Sequence, residues 1–131
     1  MIDPTYPIQV ALVARLKALA TGAANAVYDT VPKTAGFPRI TLGPFQTVLI
    51  DETCSDGSEV SVQVDVWSRK PGLPECQQIV AQIRAGLDEQ SLMIAGHRCD
   101  RMHIRDISFS RDPDGLTSRA RVDLVVITQP A

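Results

Sequence analysis

Residues 59–88, EVSVQVDVWSRKPGLPECQQIVAQIRAGLD, constrain the fold more than any other stretch of the chain. Val60, Val62, Val64 and Val66 alternate with Ser61, Gln63, Asp65 and Trp67. That two-residue period is a strand with one buried and one wet face. A Pro-Gly turn follows, and the period then changes to that of a helix, with Cys76, Ile79, Val80, Ile83 and Leu87 on one side. A strand that turns directly into an amphipathic helix is one layer of an α+β domain.

The rest of the chain reads as more of the same. An apolar stripe of Ile8, Leu12, Leu16 and Leu19 predicts a helix from about Pro7 to Ala20, ended by Gly22. A short strand is expected over Ala26–Asp29. A longer one follows from Phe37 to Ile50, broken at Gly43-Pro44, where proline cannot donate to a ladder. The polar segment Asp51–Ser58 joins two antiparallel strands, and Leu92–Gly96 is a short strand or turn. The C-terminus is a hairpin, Cys99–Ser110 and Thr117–Thr128, turning at Asp112-Pro113-Asp114-Gly115. Met102 and Ile104 are out of phase with Ile107 and Phe109, which predicts a bulge near Arg105 or Asp106. The expectation is a single α+β domain over 1–131. It has a mainly antiparallel sheet of four to six strands, two helices on one face, and the order α-β-β-β-α-β-β.

Composition narrows function mainly by exclusion. With 44% hydrophobic and 21% charged residues the chain resembles an ordinary soluble protein. A net charge of −2 disfavours a general nucleic-acid binder. Three unpaired-looking cysteines, Cys54, Cys76 and Cys99, fit a reducing compartment, with Cys76 as a core thiol. No apolar run approaches membrane length, and the N-terminus lacks the basic start of a signal peptide.

No constellation of side chains points to catalysis, a cofactor or a metal. Cys99 and His103, with His97 nearby, are the closest approach to a ligand set. On one strand they share a face but sit roughly 13 Å apart, too far for one zinc ion. The acidic segment holding Asp51, Glu52, Asp56 and Glu59 lacks the spacing of a calcium loop. It reads as a solvated or protruding contact loop. Cys76 faces the core and Cys54 lies among acids, so neither is an activated nucleophile.

Three features bear on association instead. Arg119 and Arg121 belong to a hairpin of alternating arginine and aspartate, a solvated or subunit-facing surface. Closure around Pro113-Asp114 would set Asp106 opposite Arg121, an ion pair worth about 0.2–1 kcal/mol. Val125 and Ile127 make the second face of the last strand apolar, so it needs cover on both sides, for which another subunit is one source. Trp67, on the wet face of its strand, is either covered within the chain or buried against a neighbour.

In order and spacing these segments resemble the tail-completion, or tail-terminator, family of long-tailed bacteriophages and gene transfer agents. The resemblance runs from the N-terminal helix through VYDTVPKTAGFPRITLG, with its Val-Tyr strand, proline turn and Pro-x-Ile-x-Leu-Gly strand. It continues past the acidic loop into VSVQVDVWSR, which ends in Trp-Ser, and on to the hairpin ending RARVDLVVIT. Nearly the whole chain is covered. The resemblance implies a structural, non-enzymatic protein of the virion tail, made in the bacterial cytoplasm before assembly. Such proteins form a ring with copies of themselves, commonly a hexamer, at the head-proximal end of the tail tube. Its partners would be the tail-tube protein and the head-tail connector, with DNA only passing through the lumen and no small-molecule substrate, cofactor or membrane. Asp51, Glu52 and Asp56 are then candidates for contact with tube or connector. Trp67, Arg119, Arg121, Val125 and Ile127 are candidates for contact between copies. A head-tail adaptor or minor tail protein is the alternative within that world, and a small cytoplasmic ligand-binding domain or enzyme the alternative outside it.

Overall fold

A computed structural model describes residues 3–50 and 57–131. In chain order the elements are α1 (Thr5–Ala18), β1 (Val27–Tyr28), β2 (Arg39–Leu49), β3 (Ser58–Ser68), α2 (Pro74–Leu87), β4 (His97–Arg111) and β5 (Ser118–Pro130). The strands form a five-stranded sheet in the order β1-β2-β3-β5-β4, so β5 inserts between β3 and β4. The sheet is mixed, against the expectation of a mainly antiparallel one. β1 runs parallel to β2, and the other three pairings are antiparallel. The connection between β1 and β2 carries the chain back to the end where β1 began, so β2 runs beside it instead of folding back as a hairpin.

The valine alternation of β3 is the centre of the core. Val60, Val62, Val64 and Val66 pair with Val126, Leu124, Val122 and Ala120 of β5, and all eight are fully buried. Burying each of the larger side chains stabilises the fold by about 1.5–3 kcal/mol. The helices cover this same face. Cys76 of α2 points its Sγ at the Val66 carbonyl, 3.6 Å away. Thr5 of α1 meets the hydroxyl of Thr47, which pairs with Val60. The helices also meet each other, with Gly86 so close to Leu19 that an added Cβ would collide with it. Arg15 reaches across to donate to the carbonyls of Gly86 and Ser91 at 3.2 and 2.7 Å.

Helix α1 starts and stops two residues before the expected bounds. Pro4 occupies the N-cap, its carbonyl accepts from Ile8 N–H at 2.9 Å, and Asp3 accepts from Thr5 N–H. Pro7 falls in the first turn, where no N–H is needed. The chain leaves the helix at Ala20, which takes a left-handed φ of 49°, before reaching Gly22.

Irregularities in two strands set which residues share a face. β2 shifts register between Leu42 and Phe45, where Gly43-Pro44 interrupts the ladder. β4 shifts register against β5 between Ile104 and Asp106, in keeping with the phase break in the sequence. It also shifts between Cys99 and Arg101. That bulge puts Cys99 on the helix face, opposite Thr128, and His103 on the other face, opposite Val125. The two do not share a face as their even spacing implied. The hairpin turns two residues' worth later in register than expected, with Arg111 opposite Ser118. Asp114 holds the turn by accepting from the N–H groups of Leu116 and Thr117, and Gly115 supplies a φ of 71°.

Burial pushes the Cys76 thiol up from 9.0 to about 11, and the Glu75 carboxylate beside it adds to the rise. The neutral thiol is therefore favoured in the folded state. The stability this brings is complete below the unfolded thiol's value and is lost as pH rises through the folded one. Between pH 8 and 10.5 the native chain should lose about 2 kcal/mol that a Cys76→Ala variant does not lose. Urea denaturation of both proteins at the two pH values measures it. Parallel losses would mean that the thiol does not titrate with unfolding.

Candidate interaction surface

The sheet face that carries no helix is built from the alternate residues of the same strands. Four cross-strand rows run over it from β2 through β3 to β5: Arg39–Trp67–Arg119, Thr41–Asp65–Arg121, Gln46–Ser61–Val125 and Val48–Glu59–Ile127. Trp67 is half-buried there. Its indole N–H donates to Thr41 Oγ1 at 2.9 Å, and the Arg119 guanidinium lies 4.7 Å from the ring centroid. The tryptophan is thus partly covered within its own chain, by an arginine and not by a loop or helix end.

Asp65, read from the sequence as one of the wet residues of β3, is only 4% exposed. Its Oδ2 accepts from Gln63 Nε2 at 3.0 Å and from Arg119 Nη2 at 3.1 Å, while Arg121 Nε lies 3.7 Å from Oδ1. Arg121 therefore leans on Asp65 and not on Asp106, which the later turn places opposite Asp123. Asp123 is bound instead by Arg105, the extra residue of the bulge, at 2.8 and 3.0 Å. The face is charged, but most of its charges are satisfied in pairs.

At the Ser68 end of the sheet the balance tips. Arg39 and Arg69 both lie over the Phe37 ring, 4.2 and 4.3 Å from its centroid. Arg69 donates to Thr117 Oγ1 at 3.4 Å and Arg39 to the Ala35 carbonyl at 3.5 Å. Neither forms an ion pair among the described residues.

Of the residues singled out in the sequence, the structure brings Trp67, Arg119 and Arg121 together around Asp65. Val125 lies on the same face but is 1% exposed in the single chain, so its burial does not require a neighbour. Ile127 is half-buried beside Glu59 and Arg101. Asp51, Glu52, Cys54 and Asp56 lie outside the described residues. Sequence reasoning missed Asp65, Phe37, Arg39 and Arg69. The signal for Asp65 was present, since an acid in β3 had to face something in a β5 strand rich in arginine.

On the other face, a groove of about 690 Å³ runs between α2 and the distal half of β4. Val80, Ala81, Ala85, Ile107 and Phe109 line it, with Gln77, Arg84 and Asp88 among them. No nucleophile is in that lining. Among the described residues no three His, Cys, Asp or Glu side chains come together as metal ligands, and no helix is long and apolar enough to cross a membrane.

Comparison with known proteins gives these surfaces a context. The family model for tail completion protein gp17 matches residues 10–129. No curated protein matches the chain. Among solved structures, a chain from the virion of a native gene transfer agent particle superposes with a TM-score of 0.89 at 18% identity. The match covers 98% of this chain and 99% of that one. At that identity the superposition establishes the fold, and the family model establishes the kinship. The chain belongs to the tail completion protein gp17 family, structural proteins of phage-type tails.

Proposed function

We propose that copies of this chain assemble into a ring, a hexamer in the finished tail, at the head-proximal end of the tail tube. There the ring ends tube growth and meets the head-tail connector. The family match over residues 10–129 is the observation that carries this reading. The role is architectural, with no bond made or broken. The face without helices supports it: Ser61 and Gln63 alternate with paired charges such as Arg105–Asp123, which would let DNA pass a wet lumen without being held. Trp67, Arg119, Arg121 and Ile127 are the proposed contacts between copies, with Val125 as buried support behind them. Asp51, Glu52 and Asp56, outside the described residues, are proposed contacts with another subunit of the tail.

The test is to polymerise the cognate tail-tube protein with and without this chain and to measure tube lengths by electron microscopy. Short tubes carrying a disc at one end are expected. Tubes of unchanged length, with no added density, would defeat the terminator reading. Binding to the connector and not to the tube would move the chain to the adaptor role.

A further inference from the structure

We propose that the arginine cluster at the Ser68 end of the sheet is a docking site for an acidic peptide segment, and that its occupant is residues 51–56 of a neighbouring copy. The inference rests on the reading that copies assemble, and goes beyond it by naming both halves of the bond.

The cluster is built to receive carboxylates. Two guanidinium groups share the Phe37 ring, and neither is in contact with a carboxylate among the described residues, Asp114 being near enough only to feel the charge of Arg69. Arg119 and Arg121 stand in the next strand but one, sharing the single buried carboxylate of Asp65. The Nε atoms of Arg39 and Arg119 are buried without a hydrogen-bond partner. Positive charge gathered so closely disfavours itself until an anion arrives. Arginine's planar fork matches a carboxylate in shape as well as sign.

The complementary charge is in the chain itself. Residues 51–56, DETCSD, hold three acids and no base, in a protein whose net charge is only −2. They lead into β3 at its Ser58 end, whereas the arginine cluster sits at its Ser68 end. The two ends of that strand are about 34 Å apart at ~3.4 Å per residue. Ile50 N–H donates to the Gly57 carbonyl at 2.9 Å, which ties the two ends of the 51–56 segment together. Half of so short a segment, fully extended, reaches about 12 Å. The segment cannot reach its own cluster, so the complement is satisfied between copies. Each copy offers one donor end and one acceptor end, which makes the contact heterologous, the kind that closes into a ring. Nucleic acid is the poorer fit, because Asp65, Asp106 and Asp123 interrupt the face on which a phosphate track would have to run.

Two measurements test this. First, a fluorescent peptide of residues 49–60 is titrated with the protein and followed by anisotropy, against the same peptide with every Asp changed to Asn and every Glu to Gln. The acidic peptide should bind at least tenfold more tightly. Arg69→Asp, at an exposed site, and 0.5 M salt should each weaken it at least tenfold. Equal binding of the two peptides, or none, overturns the proposal, as does Arg69-dependent binding of a short DNA duplex with no peptide binding. Second, assembly is sized for two charge-reversed proteins, one carrying Asp51→Arg, Glu52→Arg and Asp56→Arg, the other Arg39→Asp and Arg69→Asp. Each alone places like charges at the contact and should not assemble, while an equal mixture should form alternating rings of wild-type size. If each reversed protein assembles alone, this contact is wrong though the ring reading stands. Peptide binding by a wild type that never caps tubes would instead leave the contact in place and remove the terminator role.

Discussion

Asp65→Ala should lower the stability of the isolated chain by about 3 kcal/mol, one of the two largest effects expected of a single substitution here. The carboxylate is 4% exposed and accepts from Gln63 and Arg119 while Arg121 leans on it from 3.7 Å. Removing it leaves two guanidinium groups facing each other across an empty site. Arg119, whose side chain is 25% exposed and whose Nε already lacks a partner, cannot turn freely to water. Its partial exposure keeps the expected loss at the lower end of the range for a broken buried pair. Asp65→Asn keeps an acceptor but not the charge, and should lose roughly half as much. The contrast is Arg105–Asp123, exposed on the same face, whose removal should cost well under ~1 kcal/mol. Urea denaturation followed by circular dichroism measures all three. A loss below about 0.5 kcal/mol for Asp65→Ala would mean that solvent, and not Asp65, satisfies the arginines.

Asp65 also shows where sequence reading stops. The alternation in β3 gave the side of the sheet it faces but not which residues of β5 lie across from it. That depends on register, and register depends on bulges and on where the turn closes. The bulge at Arg105 was legible because Ile104 and Ile107 break phase. The bulge after Cys99 left the same kind of mark, a three-residue step from Cys99 to Met102. It was obscured by the even spacing of Cys99 and His103, which on a regular strand would put both on one face. The parallel pairing of β1 was not legible, since two residues carry no directional signal. The Phe37 cluster was not legible either, because it joins a loop, the start of β2 and the end of β3. What periodicity did carry was both helices, the buried stripe of each and the valine face against which they pack. The family was legible from order and spacing alone, since nearly every element it needs leaves a periodic trace.

Leu12→Ala should lower stability by about 3–4 kcal/mol, although its helix is the one with the least amphipathic sequence. Ile8, Leu12 and Leu16 are fully buried, and Leu12 is the middle of the three. The opposite side of α1 is apolar too, with Tyr6 74% and Val10 52% exposed, so composition does not tell the helix which way to face. No side chain caps its N-terminus, and the hydrogen bonds that tie it down come from Thr5 at one end and Arg15 at the other. Orientation therefore depends on the fit of the buried stripe. Truncating its centre opens a cavity between helix and sheet that the close-packed core around it cannot fill. Val10→Ala, two residues away on the outer side, should change stability by less than ~0.5 kcal/mol, because lost packing is offset by alanine's better helix propensity. Denaturation midpoints of the two variants separate these effects. Near-equal losses would show that the outer side of α1 is also packed, and a loss below about 1 kcal/mol for Leu12→Ala would show that the helix is held by its ends. Either result would change which face of α1 is free to meet a partner, since only a helix fixed by its inner stripe presents Tyr6 and Val10 outward in every copy.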